Sequence, residues 1–370
     1  MDSRAYQALF LGGIPTRRVL AGLWERRGEL AGARTLNLPA VATLVGSSLA
    51  TKPMRTWEGL RHRRRAEPLA MPPVHVLGHW RSGTTFLHYL LSQDPQFAYV
   101  QNVHAMYPHH FHTLGRSTAT AMPATRPMDD VRWALDSPQE EEIALAKMVP
   151  WSFFSALLSP HLAEEGFAST VLLDGLTTAQ LRRWERAYSG LLGKVSAAQQ
   201  GRRLLLKNPA NTGRIRHLQR VTPGARFLAI HRHPYAVFAS MRSFYASLHG
   251  LLGLAEAPSD DVTERLILTG YAQLMHRYLR DRAAVPPSRL VEVRYEALCD
   301  DPEAVVGSIY EGLDLGPRAQ GEQAARTYLA QAGPYRRSHR TLSERERQLV
   351  HTHWGFAFDA FDYPRTTGGV

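Results

Sequence analysis

Between Gly78 and Gly83 lie four residues, His79, Trp80, Arg81 and Ser82, and two threonines, Thr84 and Thr85, follow directly. Glycines at this spacing suit a phosphate-binding loop, because the turn lets successive backbone N–H groups converge on an anion. A helix starting right after the turn adds its positive end. Arg81 puts a full charge inside the loop, and the two threonines offer hydroxyl donors. Arg81, Ser82, Gly83, Thr84 and Thr85 therefore read as one anion cradle. Nucleoside-triphosphate loops carry a lysine after the second glycine that reaches the outer phosphates. Thr84 stands there instead, which argues against an ATPase or kinase.

A second cationic point is Arg232, which ends the apolar run 226–231 and is followed by Ser240 eight residues on. An arginine with a hydroxyl makes a compact clamp for a terminal phosphate. Lys207 closes the run Leu204-Leu205-Leu206. By position alone it is a rim cation or merely a strand emerging into solvent.

These residues need elements that bring them together. After Pro73 the chain alternates short apolar strands with helices. Strands are expected at 74–78, 97–101, 203–206, 226–231 and 290–294. Helices are expected at 84–93, 177–199 and 261–282, with others starting at Thr212 and Pro234. The alternation predicts an α/β fold with a mainly parallel sheet. Ligands of such sheets bind beyond the carboxyl ends of the strands, so Gly78, Lys207 and Arg232 fall on one rim. Residues 1–70 form an arginine-rich extension with helical apolar spacing at Leu20, Leu23 and Leu30. It ends in Arg61-His62-Arg63-Arg64-Arg65 and a proline-rich boundary. The expected division is a helical extension over 1–70 and an α/β domain over 71–370.

The string GHWRSGTT resembles the 5′-phosphosulfate loop of sulfotransferases that use 3′-phosphoadenosine-5′-phosphosulfate (PAPS), in the bacterial branch related to tyrosylprotein sulfotransferases. Arg232-His233-Pro234 resembles the family's Arg-Asp-Pro clamp for the 3′-phosphate, with His233 in place of the aspartate and Ser240 retained. Lys207-Asn208-Pro209 is similar to the Lys-x-Pro segment whose lysine contacts the transferring group. A cation there stabilises the charge that builds on the leaving diphosphate. Tyr295 is similar to the strand-end tyrosine that contacts the nucleotide. The likeness spans residues 73–365. It implies a P-loop-like domain of four or five parallel strands flanked by helices, and direct in-line sulfuryl transfer to a hydroxyl. The product would be adenosine 3′,5′-diphosphate, and no metal is expected. Two separated anion sites suit PAPS, which carries phosphate at both ends of its adenosine, better than ATP.

The base is harder to read. Tyrosylprotein sulfotransferases carry a glutamate just after the second strand, where this chain has Gln101 and Asn102, and an amide cannot accept a proton. The stretch Arg126 to Glu142 resembles a Pro-x-Glu-x-Glu signature of bacterial members, which makes Glu140 and Glu142 candidates for base or acceptor anchor. Ordinary helix-start carboxylates look the same. His104 is the other candidate, with suitable basicity. The catalytic set is thus Lys207, Arg81, Glu140, Glu142 and His104, with Pro334 to Arg340 as a basic lid. His104, His109, His110 and His112 read as a wall of the acceptor pocket; without cysteine or a spaced carboxylate they make a poor metal site. The run Met148 to Leu158 favours a hydrophobic acceptor or plain core packing.

Composition sets the outer limits. The chain has 370 residues, 44 Lys and Arg against 33 Asp and Glu, and a net charge of +11. Such a balance suits a polyanionic ligand, nucleic acid or an anionic surface without choosing among them. The lone Cys299 excludes an internal disulfide and a cysteine-based zinc site. The opening residues lack the order of a signal peptide, and no apolar run is long enough to span a bilayer. The expected setting is cytoplasmic. Expected partners are a small-molecule or lipid hydroxyl acceptor and no nucleic acid, with peripheral membrane contact left open. The rival readings are a P-loop kinase and a non-catalytic nucleotide-binding module.

Overall fold

In the computed structural model the apolar runs of the sequence become five strands: β1 Val74–Leu77, β2 Phe97–Tyr99, β3 Arg203–Lys207, β4 Arg226–His231 and β5 Leu290–Arg294. The structure describes residues 14–25, 38–61, 69–114, 134–154, 166–252, 258–332 and 341–365. The helices, in chain order, begin with α1 Thr16–Glu25, α2 Leu38–Ala50, α3 Lys52–Arg61, α4 Thr84–Leu91 and α5 Asn102–Met106. Next come α6 Phe111–Leu114, α7 Glu141–Met148, α8 Thr178–Ala198, α9 Ile215–Val221 and α10 Pro234–Leu252. The last five are α11 Asp260–Arg282, α12 Tyr295–Asp300, α13 Pro302–Gly312, α14 Arg318–Ala332 and α15 Glu344–Ala360. The chain divides into two compact units. One comprises Met1–Pro68, Val100–Val195 and Phe244–Ser259; the other Leu69–Tyr99, Ser196–Ser243 and Asp260–Val370.

The second unit contains the whole sheet. Its order is β2-β3-β1-β4-β5 and every pairing is parallel. β1, β3 and β4 are apolar almost throughout because helices cover both faces of such a sheet. All four residues of β1 are buried. β5, on the edge, is only partly covered. One face packs Phe86, Leu87, Leu90 and Leu91 of α4 against Val74, Val76, Leu205, Leu228 and Ile230, and then against Leu298, Val306, Ile309 and Tyr310. Each such side chain contributes about 1.5–3 kcal/mol on burial.

From β1 the chain crosses to β2 on one side, while from β4 it continues to β5 on the other. β1 and β4 are neighbours, so their outgoing loops diverge and open a crevice at their carboxyl ends. The loops after β1, β3, β4 and β5 all leave from that same edge.

The expected strands are present with small end shifts. β1 stops at Leu77 because Gly78 takes a φ of +146°. The helix expected from Thr212 is a 3₁₀ turn over Pro209–Gly213, capped by Asn208, before α9 begins at Ile215. Asn208 Oδ1 accepts from the Ala210 N–H at 3.0 Å, and Pro209 preorganises the first turn.

The first unit is helical among its described residues. The N-terminal helices belong to it together with residues 100–195. Glu58 of α3 is buried and ion-paired with Lys194 of α8, and it accepts from the N–H and hydroxyl of Thr113 at 2.8 and 2.7 Å. The Lys194 ammonium also sits 4.3 Å from the Phe111 ring centroid. A carboxylate with this many donors tolerates burial that an unpaired one would not.

Two histidines of the sheet unit are held neutral by burial. His75 of β1 is pushed down to about 3, and His79 of the following loop to about 4, from an ordinary 6.5. Between pH 6.5 and 4 the unfolded chain therefore binds protons that the fold refuses, and stability falls as pH falls. Each pH unit is worth about 1.4 kcal/mol per fully shifted group. The thermal midpoint should drop steeply from pH 6.5 to 4 in calorimetry, and a flat midpoint over that window would show these rings to be accessible.

Candidate active site

The loop after β1 is shaped by contacts that only glycine allows. A Cβ on Gly78 would lie 2.5 Å from the Ile230 carbonyl oxygen, and one on Gly83, with φ +93°, would lie 2.3 Å from Cδ2 of Tyr295. Arg81 also has a positive φ of 68°. A non-glycine residue there is uncommon and costs strain that the surrounding contacts must hold. Thr212 fastens the loop base: its hydroxyl accepts from the Gly78 N–H at 2.8 Å and donates to the Gly78 carbonyl at 3.1 Å. α4 then starts behind Gly83 with no side-chain cap on its first turn. Uncapped N–H groups at a helix start, behind a glycine turn, form an anion site.

Three cations converge on this loop within the sheet unit. Lys207 ends β3, almost fully buried, and its ammonium donates to the Thr85 hydroxyl at 3.3 Å. Arg81 Nε donates to the Ser240 hydroxyl at 2.8 Å. Arg232 Nη1 donates to the Arg81 carbonyl at 3.2 Å, and its guanidinium lies 4.3 Å over the Tyr295 ring. Arg81, Ser82, Gly83, Thr84, Thr85, Lys207, Arg232, Ser240 and Tyr295 thus belong to one unit and line the outgoing ends of β1, β3, β4 and β5. Loop and clamp are in direct contact, through Arg81 with Ser240 and Arg232 with the Arg81 carbonyl.

His233 stands where the resembled Arg-Asp-Pro clamp has an aspartate, and a carboxylate from elsewhere in the chain meets its backbone. The His233 N–H donates to Glu296 Oε1 at 3.0 Å, and the Tyr363 hydroxyl donates to Glu296 Oε2 at 2.8 Å. The His233 ring is buried against Tyr235, Phe358 and Tyr363. Burial lowers its basicity. Glu296, Thr212 and Tyr363 escaped the reading of the sequence. Glu296 directly follows Tyr295 and could have been found as an acid beside a strand-end tyrosine; Thr212 and Tyr363 carry no local signal.

The proton-acceptor candidates all lie in the other unit. Residues 100–103 and 134–139 run side by side there. Gln101 and Pro138 form an antiparallel bridge, Asn102 N–H donates to the Ser137 carbonyl at 3.0 Å, and Gln139 Nε2 donates to Asn102 Oδ1 at 2.8 Å. Two segments far apart in sequence, which lead directly into His104 and Glu140, are thereby joined. His104 is buried, and its Nδ1 accepts from the Gln101 N–H at 3.1 Å, closing a capping box on α5. A neutral ring used this way carries its proton on Nε2. Burial first, then the charges of His112 and Lys194, push His104 down to about 4.

At the start of α7 the three glutamates differ. Glu141 is fully buried and accepts from the Tyr188 hydroxyl at 2.9 Å. Glu142 is also buried and accepts from the Phe153 N–H at 2.9 Å. Glu140 is half-buried, in extended conformation at the N-cap position. Of the remaining histidines, His109 faces the Lys147 carbonyl at 3.3 Å, and Lys147, buried and pushed down to about 7, donates to the Met106 carbonyl at 2.6 Å. Phe153 and Phe154 are buried, and Arg183 lies 5.8 Å over the half-buried Trp151. Core packing thus accounts for Val149, Phe153 and Phe154 in the described part of 148–158. Among the described residues no group of three His, Cys, Asp or Glu side chains could hold a metal ion. The Pro334 to Arg340 segment and residues 126–130 lie outside the described residues.

The pattern of the sulfotransferase family matches residues 72–316. The omega-hydroxy-beta-dihydromenaquinone-9 sulfotransferase Stf3 of Mycobacterium bovis is 30% identical over 309 residues, covering 82% of this chain and 79% of the relative. Its Mycobacterium tuberculosis counterpart matches equally. The crystal structure of sulfotransferase STF9 from Mycobacterium avium superposes with a TM-score of 0.71 at 20% identity, over 93% of this chain and 91% of that one. For STF1 from Mycobacterium tuberculosis the values are 0.59, 19%, 95% and 93%. These two share the fold. The matched span begins just ahead of β1 and carries the glycine loop, Lys207, Arg232 and Tyr295, so the chain belongs to the sulfotransferase family and is a sulfotransferase.

Proposed function

We propose that the chain takes the sulfuryl group from PAPS and passes it to a hydroxyl on a hydrophobic, lipid-like acceptor. One observation carries the donor assignment: Arg232 and Ser240 reach the backbone and side chain of Arg81, joining a second cationic clamp to the glycine loop. A nucleotide with phosphate on both sides of its ribose matches that pair. In this reading the loop amides and Thr84 and Thr85 hold the 5′-phosphosulfate, Arg232 and Ser240 hold the 3′-phosphate, and Tyr295 packs against the nucleotide. The lipid-like acceptor is supported by the Stf3 relative, whose name specifies a hydroxylated menaquinone.

The reaction is a single displacement. The acceptor oxygen bonds to sulfur as the bond from sulfur to the bridging oxygen breaks, and adenosine 3′,5′-diphosphate leaves. Negative charge grows on the bridging oxygen. Lys207, held at the start of α4 by Thr85, offsets that charge more in the transition state than in the ground state. The acceptor's proton goes to Glu140 or Glu142, the carboxylates at the start of α7, with His104 as the alternative.

If two anion sites bind one nucleotide, adenosine 3′,5′-diphosphate should raise the melting temperature far more than ADP. Equal shifts would remove the 3′-phosphate clamp. Arg232→Ala should weaken that diphosphate by about 1.5–3 kcal/mol, the scale of a charged hydrogen bond, and spare kcat at saturating PAPS. Lys207→Ala should do the reverse, lowering kcat about 10²–10³-fold with near-normal diphosphate affinity. A loss of affinity alone in Lys207→Ala would reassign the lysine to binding.

Glu140→Gln should lower turnover of an alcohol acceptor about 10²–10⁴-fold. A nitrophenol, already largely ionised, should recover much of the rate. Full activity in Glu140→Gln together with collapse in Glu142→Gln or His104→Asn would move the role to that residue.

A further inference from the structure

Sulfuryl transfer makes no use of the outward surface of the N-terminal helices, and that surface is unusual. α1 turns Val19 inward, Arg18 donates to the Ala146 carbonyl at 2.8 Å, and Ser48 of α2 donates to Thr16 at 2.9 Å. Its opposite face carries Arg17, Leu20, Ala21 and Trp24 at helical spacing, all exposed. α3 repeats the arrangement. Glu58 faces inward to Lys194, while Met54, Trp57 and Leu60 form an outward stripe and the Arg61 guanidinium lies 5.1 Å over the Trp57 ring. Leu20 is 58% exposed, Trp24 68%, Trp57 51% and Leu60 60%. With Leu49 and Met54, these helices hold six of the seven large exposed apolar side chains among the described residues.

The same stretch concentrates the protein's charge. Residues 1–68 contain twelve Lys and Arg against five Asp and Glu, so they supply +7 of the net +11. Of those acids, Glu58 is already neutralised by Lys194. No described helix is long and apolar enough to cross a membrane.

From these observations we propose that the outward faces of α1 and α3 dock on an anionic lipid bilayer. Leu20, Trp24, Met54, Trp57 and Leu60 enter the boundary between headgroups and acyl chains, and Arg17, Lys52 and Arg61 sit at the phosphate level. Tryptophan favours that boundary because its ring is apolar and its N–H is not. Arginine and lysine gain from anionic headgroups, and short basic amphipathic helices of low overall hydrophobicity lie in the interface rather than span it. A nucleic acid would use the charge but leave the leucines and the methionine in water. A protein partner would use the apolar side chains without needing so large a cationic surplus. This docking stands independently of the acceptor's identity, since it rests on residues outside the transfer site.

The test is flotation of the full chain with phosphatidylcholine vesicles, with and without phosphatidylglycerol, and needs no turnover. The chain should float with phosphatidylglycerol vesicles and much less with phosphatidylcholine alone, and added salt should release it. Trp24→Ser with Trp57→Ser should weaken the partition roughly tenfold or more, on the scale of two buried side chains. The pair Arg17→Glu and Arg61→Glu should weaken it and flatten its salt dependence. Circular dichroism and an unchanged melting temperature verify the fold, and Leu60→Ser substitutes should the tryptophan pair fail that check. Equal binding to both vesicle types, or tryptophan variants that float like wild type, would overturn the proposal. So would a wild-type dimer that the tryptophan changes dissolve while vesicle binding stays intact.

Discussion

The site depends on one steric condition: backbone must approach backbone and ring more closely than any side chain permits. Gly78 lies against the Ile230 carbonyl and Gly83 against the Tyr295 ring. The first contact fixes the loop to β4, and the second fixes it to the residue that follows β5. Parallel register makes this feasible, with Leu77 opposite Ala229 and His231 opposite Arg294, so the ends of three strands arrive together. Once Tyr295 sits under Gly83, Arg232 can stack on its ring and donate to the Arg81 carbonyl. The glycine loop and the Arg232–Ser240 pair are therefore mechanically one object. The strained φ of Arg81 lies at their junction, held on one side by Ser240 and on the other by Arg232.

The same geometry explains how the loop does without its own lysine. Thr84 occupies the position from which a triphosphate loop sends a lysine forward. Here the ammonium comes from the neighbouring strand, where Lys207 pairs in register with Val76, and it reaches the helix start at Thr85. A lysine on a helix follows the outer phosphates of a long chain. A lysine on a strand stays at one place on the rim, as a compact point charge suited to a single bridging oxygen. In the reaction proposed above, its near-complete burial would keep water from competing for that oxygen and raise its electrostatic worth there.

Most of this frame was legible because it is local. Apolar runs such as LLLK and RFLAIH announce parallel strands by burial on both faces, and the glycine spacing with the Arg-Ser-Gly-Thr-Thr tail announces the loop. The end of each strand then gives the rim residues without further information. What the sequence hides is long-range. Thr212 closes on Gly78 across 134 positions. Glu296 accepts from the His233 N–H across 63 positions. Nothing in the local patterns distinguishes that threonine or that glutamate from others. The helices after Tyr295 were also unread, since α13 and α14 pack on each other and on α4 through long-range apolar contacts. The Glu58–Lys194 pair that unites α3 with α8 spans 136 positions and equally leaves no local trace.

The base shows where composition and chemistry part. Three consecutive glutamates, Glu140 to Glu142, look interchangeable as letters, yet a helix start sorts them by angle. Successive residues project about 100° apart, so at most some of them can face the interior. Glu141 and Glu142 do, and each meets a specific donor, the Tyr188 hydroxyl and the Phe153 N–H. A carboxylate held in this way ties local structure together, joining α7 to α8 through Tyr188 and to the Phe153 backbone. His104 is sorted by valence instead of angle: the Gln101 N–H can only donate, so Nδ1 must accept and Nε2 keeps the hydrogen. Turning that ring into a base would require breaking the cap of α5 and charging a buried imidazole already pushed down to about 4. Glu140 is half-buried and in extended backbone ahead of the first helical turn.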